Sequence, residues 1–139
     1  MRRTIAAVLG MSVLAGASVL AHHGYANFVD PAVKTATIEG DLESLRYANP
    51  HVVMMIRTAD STLYAVTWQS AFWVRQFAHV TPTTFKVGDH LVVTAAPSLD
   101  PASHDLARVR EVRRPRDGWT WRDSQPFAEP SRWERSSNP

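Results

Sequence analysis

The chain has 139 residues, no cysteine, and a formal net charge of +2 from 15 basic and 13 acidic residues. This charge is too small for the basic surface of a typical nucleic-acid-binding protein, and no nucleic-acid partner is expected. Without disulfides, a hydrophobic core must stabilise the fold, and the length suits one modest domain.

The first 21 residues have the pattern of a cleaved signal peptide. Arg2 and Arg3 form a short positive region, an apolar run from Ile5 to Leu20 follows, and Ala21 completes a signal-peptidase motif. Residues 1–21 are therefore predicted to be removed during Sec-type export, which makes the protein periplasmic or secreted. A retained membrane anchor is the alternative, but the run is short for a bilayer span and no basic cluster follows it.

Short segments with period-two alternation follow, as is typical of β-strands. The segment ATIEGDL at residues 36–42 alternates, and the pattern then slips, which predicts a bulge near Glu43 and Ser44. The runs HVVMMIRT (51–58) and LYAVTWQ (63–69) predict a hairpin.

A short helix and two further strands complete the predicted domain. Ser70 is expected to cap a helix that ends at Ala78, and strands are predicted at 90–96 and 106–114. This order is that of the OB-fold, so the sequence predicts an all-β protein with one short helix and an OB-fold-like, five-stranded Greek-key barrel over residues 22–114. The side chains expected to point into the barrel are Ile38, Leu42, Val53, Val66 and Val93.

Beyond Pro115 the composition shifts to proline, arginine, serine and tryptophan without a period. Residues 115–139 are predicted to form a weakly ordered tail. The tryptophans Trp119, Trp121 and Trp133 indicate either packing back on the barrel or a contact with another protein or a membrane surface.

Arginines recur along the last predicted strand and just after it, and they are interpreted as a solvated strand face or, alternatively, as a surface that docks an acidic partner. They are Arg108, Arg110, Arg113, Arg114 and Arg116. The sequence has no nucleophile beside a suitable base, no glycine-rich phosphate loop and no paired-carboxylate pattern, so an enzyme is not indicated.

Three motifs together resemble a known family. HHGYANFVD (22–30), ATIEGDLESLRYANPH (36–51) and FKVGDHLVVTAAPS (85–98) are similar, in this order, to small secreted bacterial proteins known as domain of unknown function 6152. Members of that family open with two histidines and carry a later Asn-Pro-His and a Lys-x-Gly-Asp turn. The resemblance covers residues 22–113. It implies an OB-like barrel and no established activity.

The predicted cleavage makes His22 the first residue of the mature chain. Its α-amino group and its imidazole Nδ1 can chelate a metal ion, and proton competition for both is slight near neutral pH. One further imidazole completes a three-nitrogen histidine brace, which favours copper over zinc. His51 is the expected third ligand because Pro50 presents it at a strand start, and His23 is adjacent. The predicted metal ligands are therefore His22, His51 and His23.

Three functional hypotheses remain open at this point. The protein is a metal-binding module with copper favoured, a barrel that binds a small or cationic ligand without a metal, or a protein-interaction module with incidental histidines. In the last case His22 and His23 form a solvated terminus, and Asn49 caps the turn before His51. The other histidines, His79, His90 and His104, are expected to be solvated.

Overall fold

Alternation of apolar and polar residues produces most of the regular structure in this chain. In the computed structural model, which describes residues 25–124, the chain forms six strands and one helix. In chain order they are β1 (Ala36–Arg46), β2 (Val53–Thr58), β3 (Leu63–Thr67), α1 (Ala71–Phe77), β4 (His90–Pro97), β5 (Asp105–Arg114) and β6 (Trp119–Arg122). None of the helical structure within this range is long and apolar enough to cross a membrane.

The strands form one sheet that closes on itself. Their order is β3-β2-β1-β4-β5-β6, with antiparallel neighbours, and β3 also pairs in parallel with β5. This last pairing closes β1 to β5 into a five-stranded barrel and leaves β6 as an additional strand. The predicted fold class, all-β with one short helix and an OB-fold-like five-stranded barrel, is confirmed.

The first strand, β1, pairs with β4 in its first half and with β2 in its second half. Its register with β2 shifts between Leu42 and Ser44, which confirms the predicted bulge. At Gly40 an added Cβ would lie 2.2 Å from the carbonyl oxygen of Arg57. Only glycine allows the two strands to approach this closely.

Buried side chains from all five barrel strands form the core. Four of the five predicted inward-facing residues are buried, namely Ile38, Leu42, Val66 and Val93. The prediction for Val53 is wrong, because Val53 is half-buried while Met54 and Ile56 are fully buried on β2. The run at residues 51–58 is apolar at both parities, so its pattern does not identify the inward face.

Helix α1 begins where two side chains accept its free backbone N–H groups. Ser70 caps the helix as predicted, since its hydroxyl accepts from the Trp73 N–H at 3.2 Å. Asn49 Oδ1 accepts from the Ala71 N–H at 3.1 Å. The Tyr47 hydroxyl donates to the Ala71 carbonyl at 3.0 Å. The loop between β1 and β2 is therefore fixed against the start of α1.

The sixth strand lies in the segment that was predicted to be a tail. β6 pairs with Glu111–Arg114 of β5, so the prediction of a weakly ordered tail is wrong for residues 119–122. Four residues are too few to give a recognisable period in the sequence. Residues 125–139 lie outside the described part of the chain.

The two tryptophans of β6 pack back on the barrel. The Trp119 ring meets Phe85 edge-on at 4.9 Å between centroids. The ring centroid of Trp121 lies 4.9 Å from that of the fully buried Trp68 and 6.1 Å from that of Trp73. This packing is one of the two alternatives that the sequence offered for Trp119 and Trp121. Trp133 lies outside the described residues.

A group of charges around the buried Asp89 and Arg114 joins the turn before β4 to the end of β5. Asp89 is 2% exposed. Its Oδ2 accepts from the Lys86 N–H at 2.9 Å and from Arg114 Nη1 at 3.0 Å, and its Oδ1 lies 3.0 Å from Arg116 Nη1. Arg114 Nη2 also lies 2.9 Å from Asp117 Oδ2. We call Asp89, Arg114, Arg116 and Asp117 the Asp89 cluster.

Burial and hydrogen bonding shift the pKa of the Asp89 carboxyl in opposite directions. Burial raises the pKa of this carboxyl, but the hydrogen bonds from the Lys86 N–H and from Arg114 outweigh burial and hold the pKa below its usual value. Asp89 is therefore ionised and paired. The interpretation of the arginines as a solvated face is wrong for Arg114, which is 8% exposed.

Candidate functional site

Of the three predicted metal ligands, only His51 lies in the described part of the chain, and His22 and His23 lie outside it. His51 follows the Asn49–Pro50 peptide bond, which is cis, and precedes the fully buried Val52. Its ring nitrogen Nδ1 is buried and has no hydrogen-bond partner among residues 25–124. Because a buried polar atom without a partner is costly, this nitrogen indicates a site that is completed from elsewhere.

Tyr25 packs against His51. Their ring centroids are 5.6 Å apart and the ring planes are inclined by 52°. The Tyr25 hydroxyl lies 3.2 Å from Gln69 Oε1 and 3.4 Å from the Trp68 carbonyl oxygen. Burial raises the pKa of this hydroxyl, and the positive charge of Arg108 opposes the shift only in part. Tyr25 is therefore a neutral hydrogen-bond donor that connects His51 to the end of β3.

The residues after Tyr25 are attached to the loop between β4 and β5. The Val29 N–H donates to the Pro97 carbonyl at 2.9 Å, and the Leu99 N–H donates to the Asn27 carbonyl at 2.8 Å. Backbone hydrogen bonds of this kind fix the path of the chain. The first described residues are thus held on the barrel beside His51.

Arg108 of β5 contacts the same tyrosine. Its guanidinium carbon lies 5.9 Å from the centroid of the Tyr25 ring. The backbone of Arg108 has a φ of 53°, a left-handed conformation that costs a residue with a side chain roughly 1–2 kcal/mol. Residues 108–110 lie opposite Ala95 alone, because the register of β4 and β5 shifts there. This bulge directs the Arg108 side chain towards Tyr25.

Four side chains therefore gather where β2 begins, β3 ends and β5 bulges. We call Tyr25, His51, Gln69 and Arg108 the Tyr25 site. Within it, Arg108 is the one cationic side chain and no carboxylate is present. No group of three histidine, cysteine, aspartate or glutamate side chains within the described range could hold a metal ion. A metal at His51 therefore needs ligands from outside residues 25–124.

The other histidines have different surroundings. The His104 ring lies 5.3 Å from that of Tyr64. His90 lies between two carboxylates, with Nε2 2.9 Å from Glu39 Oε1 and Nδ1 2.7 Å from Asp41 Oδ1. Hydrogen bonds to Glu39 and Asp41 raise the pKa of His90. His90 is exposed as predicted, but it is bonded to protein groups as well as facing solvent.

The sequence motifs did not assign Tyr25, Gln69 or Arg108 to a site. A signal for Tyr25 was present, since it lies in the opening motif HHGYANFVD three residues after His22. Arg108 gave no signal, because an arginine in an alternating strand is usually solvated and a left-handed backbone cannot be seen in the sequence.

Comparison with known proteins gives one match. Residues 10–107 match the model of a family of unknown function, DUF6152. The matched region contains both histidine motifs and the strands β1 to β4, and it ends just before Arg108. No curated protein and no solved structure matches the chain.

Proposed function

Because the chain belongs to the DUF6152 family, whose function is unknown, we propose a function from the Tyr25 site itself. The protein is a periplasmic or secreted β-barrel module that binds a copper ion through His22 and His51, with His23 as a further ligand. One observation carries this proposal. The buried Nδ1 of His51 has no partner among residues 25–124, and it lies beside Tyr25, which is close to His22 in the sequence.

Chain geometry supports the meeting of His22 and His51. Tyr25 is the third residue after His22, so the Cα atoms of these two residues are no more than about 11 Å apart. Tyr25 in turn contacts the His51 ring. The amine and the imidazole of His22 are therefore within reach of His51 without any movement of the attached segment.

The donor set decides which metal is preferred. The amine and Nδ1 of His22 form a chelate ring, and His51 adds a third nitrogen. Nitrogen donors without carboxylate or thiolate suit Cu(II), which takes tetragonal sites, better than Zn(II). Tyr25 packs on the His51 ring and holds its orientation, as groups around metal ligands commonly do.

The proposed site requires processing of the chain. Cleavage after Ala21 produces the free amine of His22, and the positive start and apolar run of residues 1–21 support an export signal. An uncleaved chain has an amide nitrogen at this position, which is a much poorer metal ligand. Export and copper binding are therefore linked in this proposal.

Calorimetry with protein that begins at His22 tests the function. Cu(II) is expected to bind at one equivalent and more tightly than Zn(II). Acetylation of the His22 α-amino group removes the terminal chelate and leaves every side chain in place, so Cu(II) affinity should fall by about 100-fold or more. His51→Gln should weaken binding similarly, whereas the matched control His104→Gln should not.

The opposite pattern contradicts the copper proposal. If Cu(II) binds weakly, and neither N-terminal acetylation nor His51→Gln changes its affinity, the histidines are not ligands. The result would then support the alternative, a ligand-binding or protein-interaction module without a metal.

A further inference from the structure

Arg108 differs from the other arginines of β5 in its charge pairing. Arg110 forms an ion pair with Asp123, and Arg114 forms one with Asp89. The Nε of Arg113 lies 3.6 Å from Glu111 Oε1. Arg108 has neither an ion pair nor a hydrogen bond from its guanidinium among residues 25–124. Arg108 is a half-buried residue, and its five N–H donors lack an acceptor within this range.

The Tyr25 ring interacts with the positive charge of Arg108 but does not satisfy its hydrogen-bond donors. An aromatic ring attracts the charge through its face. A ring contact supplies no oxygen or nitrogen acceptor for the five N–H donors of the guanidinium. Within residues 25–124, this guanidinium is held beside Tyr25 and no group accepts a hydrogen bond from it.

The backbone of Arg108 is also unusual for a residue with a side chain. Arg108 adopts a left-handed conformation in the bulge of β5, at a φ of 53°. Glycine or asparagine would accept this conformation more easily. Strain of this kind is concentrated at binding sites, where a particular side chain is needed at a particular place.

We propose that Arg108 is the anchor of an anion site that binds the carboxylate of a small organic acid over Tyr25, next to His51. A guanidinium edge matches a carboxylate through two parallel N–H to oxygen bonds. Gln69 belongs to the same site and offers a polar side chain to the remainder of the ligand.

The anion site goes beyond the copper proposal and does not depend on it. Arg108 is not a proposed metal ligand, and the residues named for the anion site all lie within residues 25–124. It can therefore be tested with metal-free protein. Copper binding without carboxylate binding would overturn the anion site alone, and carboxylate binding without copper binding would support it alone.

Nuclear magnetic resonance provides the test. The ¹⁵N-labelled, metal-free chain that begins at His22 is titrated with sodium malonate, and with sodium chloride at matched ionic strength. Saturable shifts are expected for the Arg108 side-chain Nε–H and for the Tyr25 amide with malonate only. Equal shifts with chloride, or no shift at Arg108, would overturn the proposal without any variant.

Substitutions at Arg108 separate binding from folding. Arg108→Asn suits the left-handed backbone, so the variant is expected to keep its melting temperature while malonate affinity falls about tenfold or more. The matched control is Arg113→Asn on the same strand, which should retain full affinity. Unchanged malonate affinity in Arg108→Asn would show that Arg108 is not the anchor.

Discussion

The Asp89 cluster and the Tyr25 site lie on the same barrel and differ in how their polar groups are paired. In the Asp89 cluster, each carboxylate oxygen of Asp89 has a partner at 3.0 Å or less. In the Tyr25 site, His51 Nδ1 and the Arg108 guanidinium have no hydrogen-bond partner among the described residues. Completed pairing stabilises a fold. Groups that are held in place but left unpaired are available to a ligand.

The largest expected effect is at Asp89. Asp89→Ala removes the buried carboxylate that Arg114 and Arg116 share, and within residues 25–124 it leaves Arg114 with the exposed Asp117 as its carboxylate partner. The free energy of unfolding should therefore fall by about 3 kcal/mol. Urea denaturation measures this change. The control Asp117→Ala removes an exposed partner of Arg114 and should cost much less. A loss below about 1 kcal/mol at Asp89 would contradict the structural role of the cluster.

A smaller loss is expected from β6, whose first residue packs next to the Asp89 cluster. Trp119 lies against the buried Phe85, and Trp119→Ala should lower the free energy of unfolding by about 2 kcal/mol, less than for a fully buried tryptophan. Thr120→Ala, at an exposed position of the same strand, serves as the control. Equal stability of the two variants would show that β6 adds little to the barrel.

The Tyr25 site should respond in the opposite direction. His51→Leu replaces a buried nitrogen that lacks a partner with an apolar group. Stability should therefore stay constant or rise by up to about 1 kcal/mol, while copper affinity is lost. Thermal unfolding and calorimetry on one preparation measure both properties. A clear loss of stability would mean that His51 is a structural residue like Asp89.

The smallest effect concerns pH and the surface pairing of His90. Its hydrogen bonds to Glu39 and Asp41 raise the pKa of His90 above the unfolded value. Protonated His90 therefore stabilises the fold below about pH 6.5, and this contribution is lost as pH rises through the folded pKa. Because the three side chains are exposed to solvent, the change should stay below about 1 kcal/mol. Between about pH 5.5 and about pH 8.5, the urea midpoint should fall more in the wild type than in His90→Gln.

The sequence predicted most of the barrel because the signals concerned are local. The bulge after Leu42 and the cap at Ser70 both leave a mark within a few residues. The inward face of β2 was not predictable, since neighbouring residues there are equally apolar. The strand at Trp119–Arg122 depends on pairing with β5 and gives almost no signal of its own.

The candidate site could be predicted only in part for a similar reason. His51 was identified by its motif, while His22 and His23 lie outside the described residues and stay predictions. Arg108 depends on a register shift between β4 and β5, which is a property of two strands together. Only the structure brings such residues together.

Closure of the barrel during folding depends on β5. β5 pairs with β4 on one side, and with β3 and then β6 on the other. A chain that ends before residue 105 therefore leaves the edges of β3 and β4 open, and open edges are templates for aggregation. The parallel contact between β3 and β5 also joins residues far apart in sequence, so closure should be slow compared with hairpin formation. Cleavage in the loop before β5 would expose both edges at once.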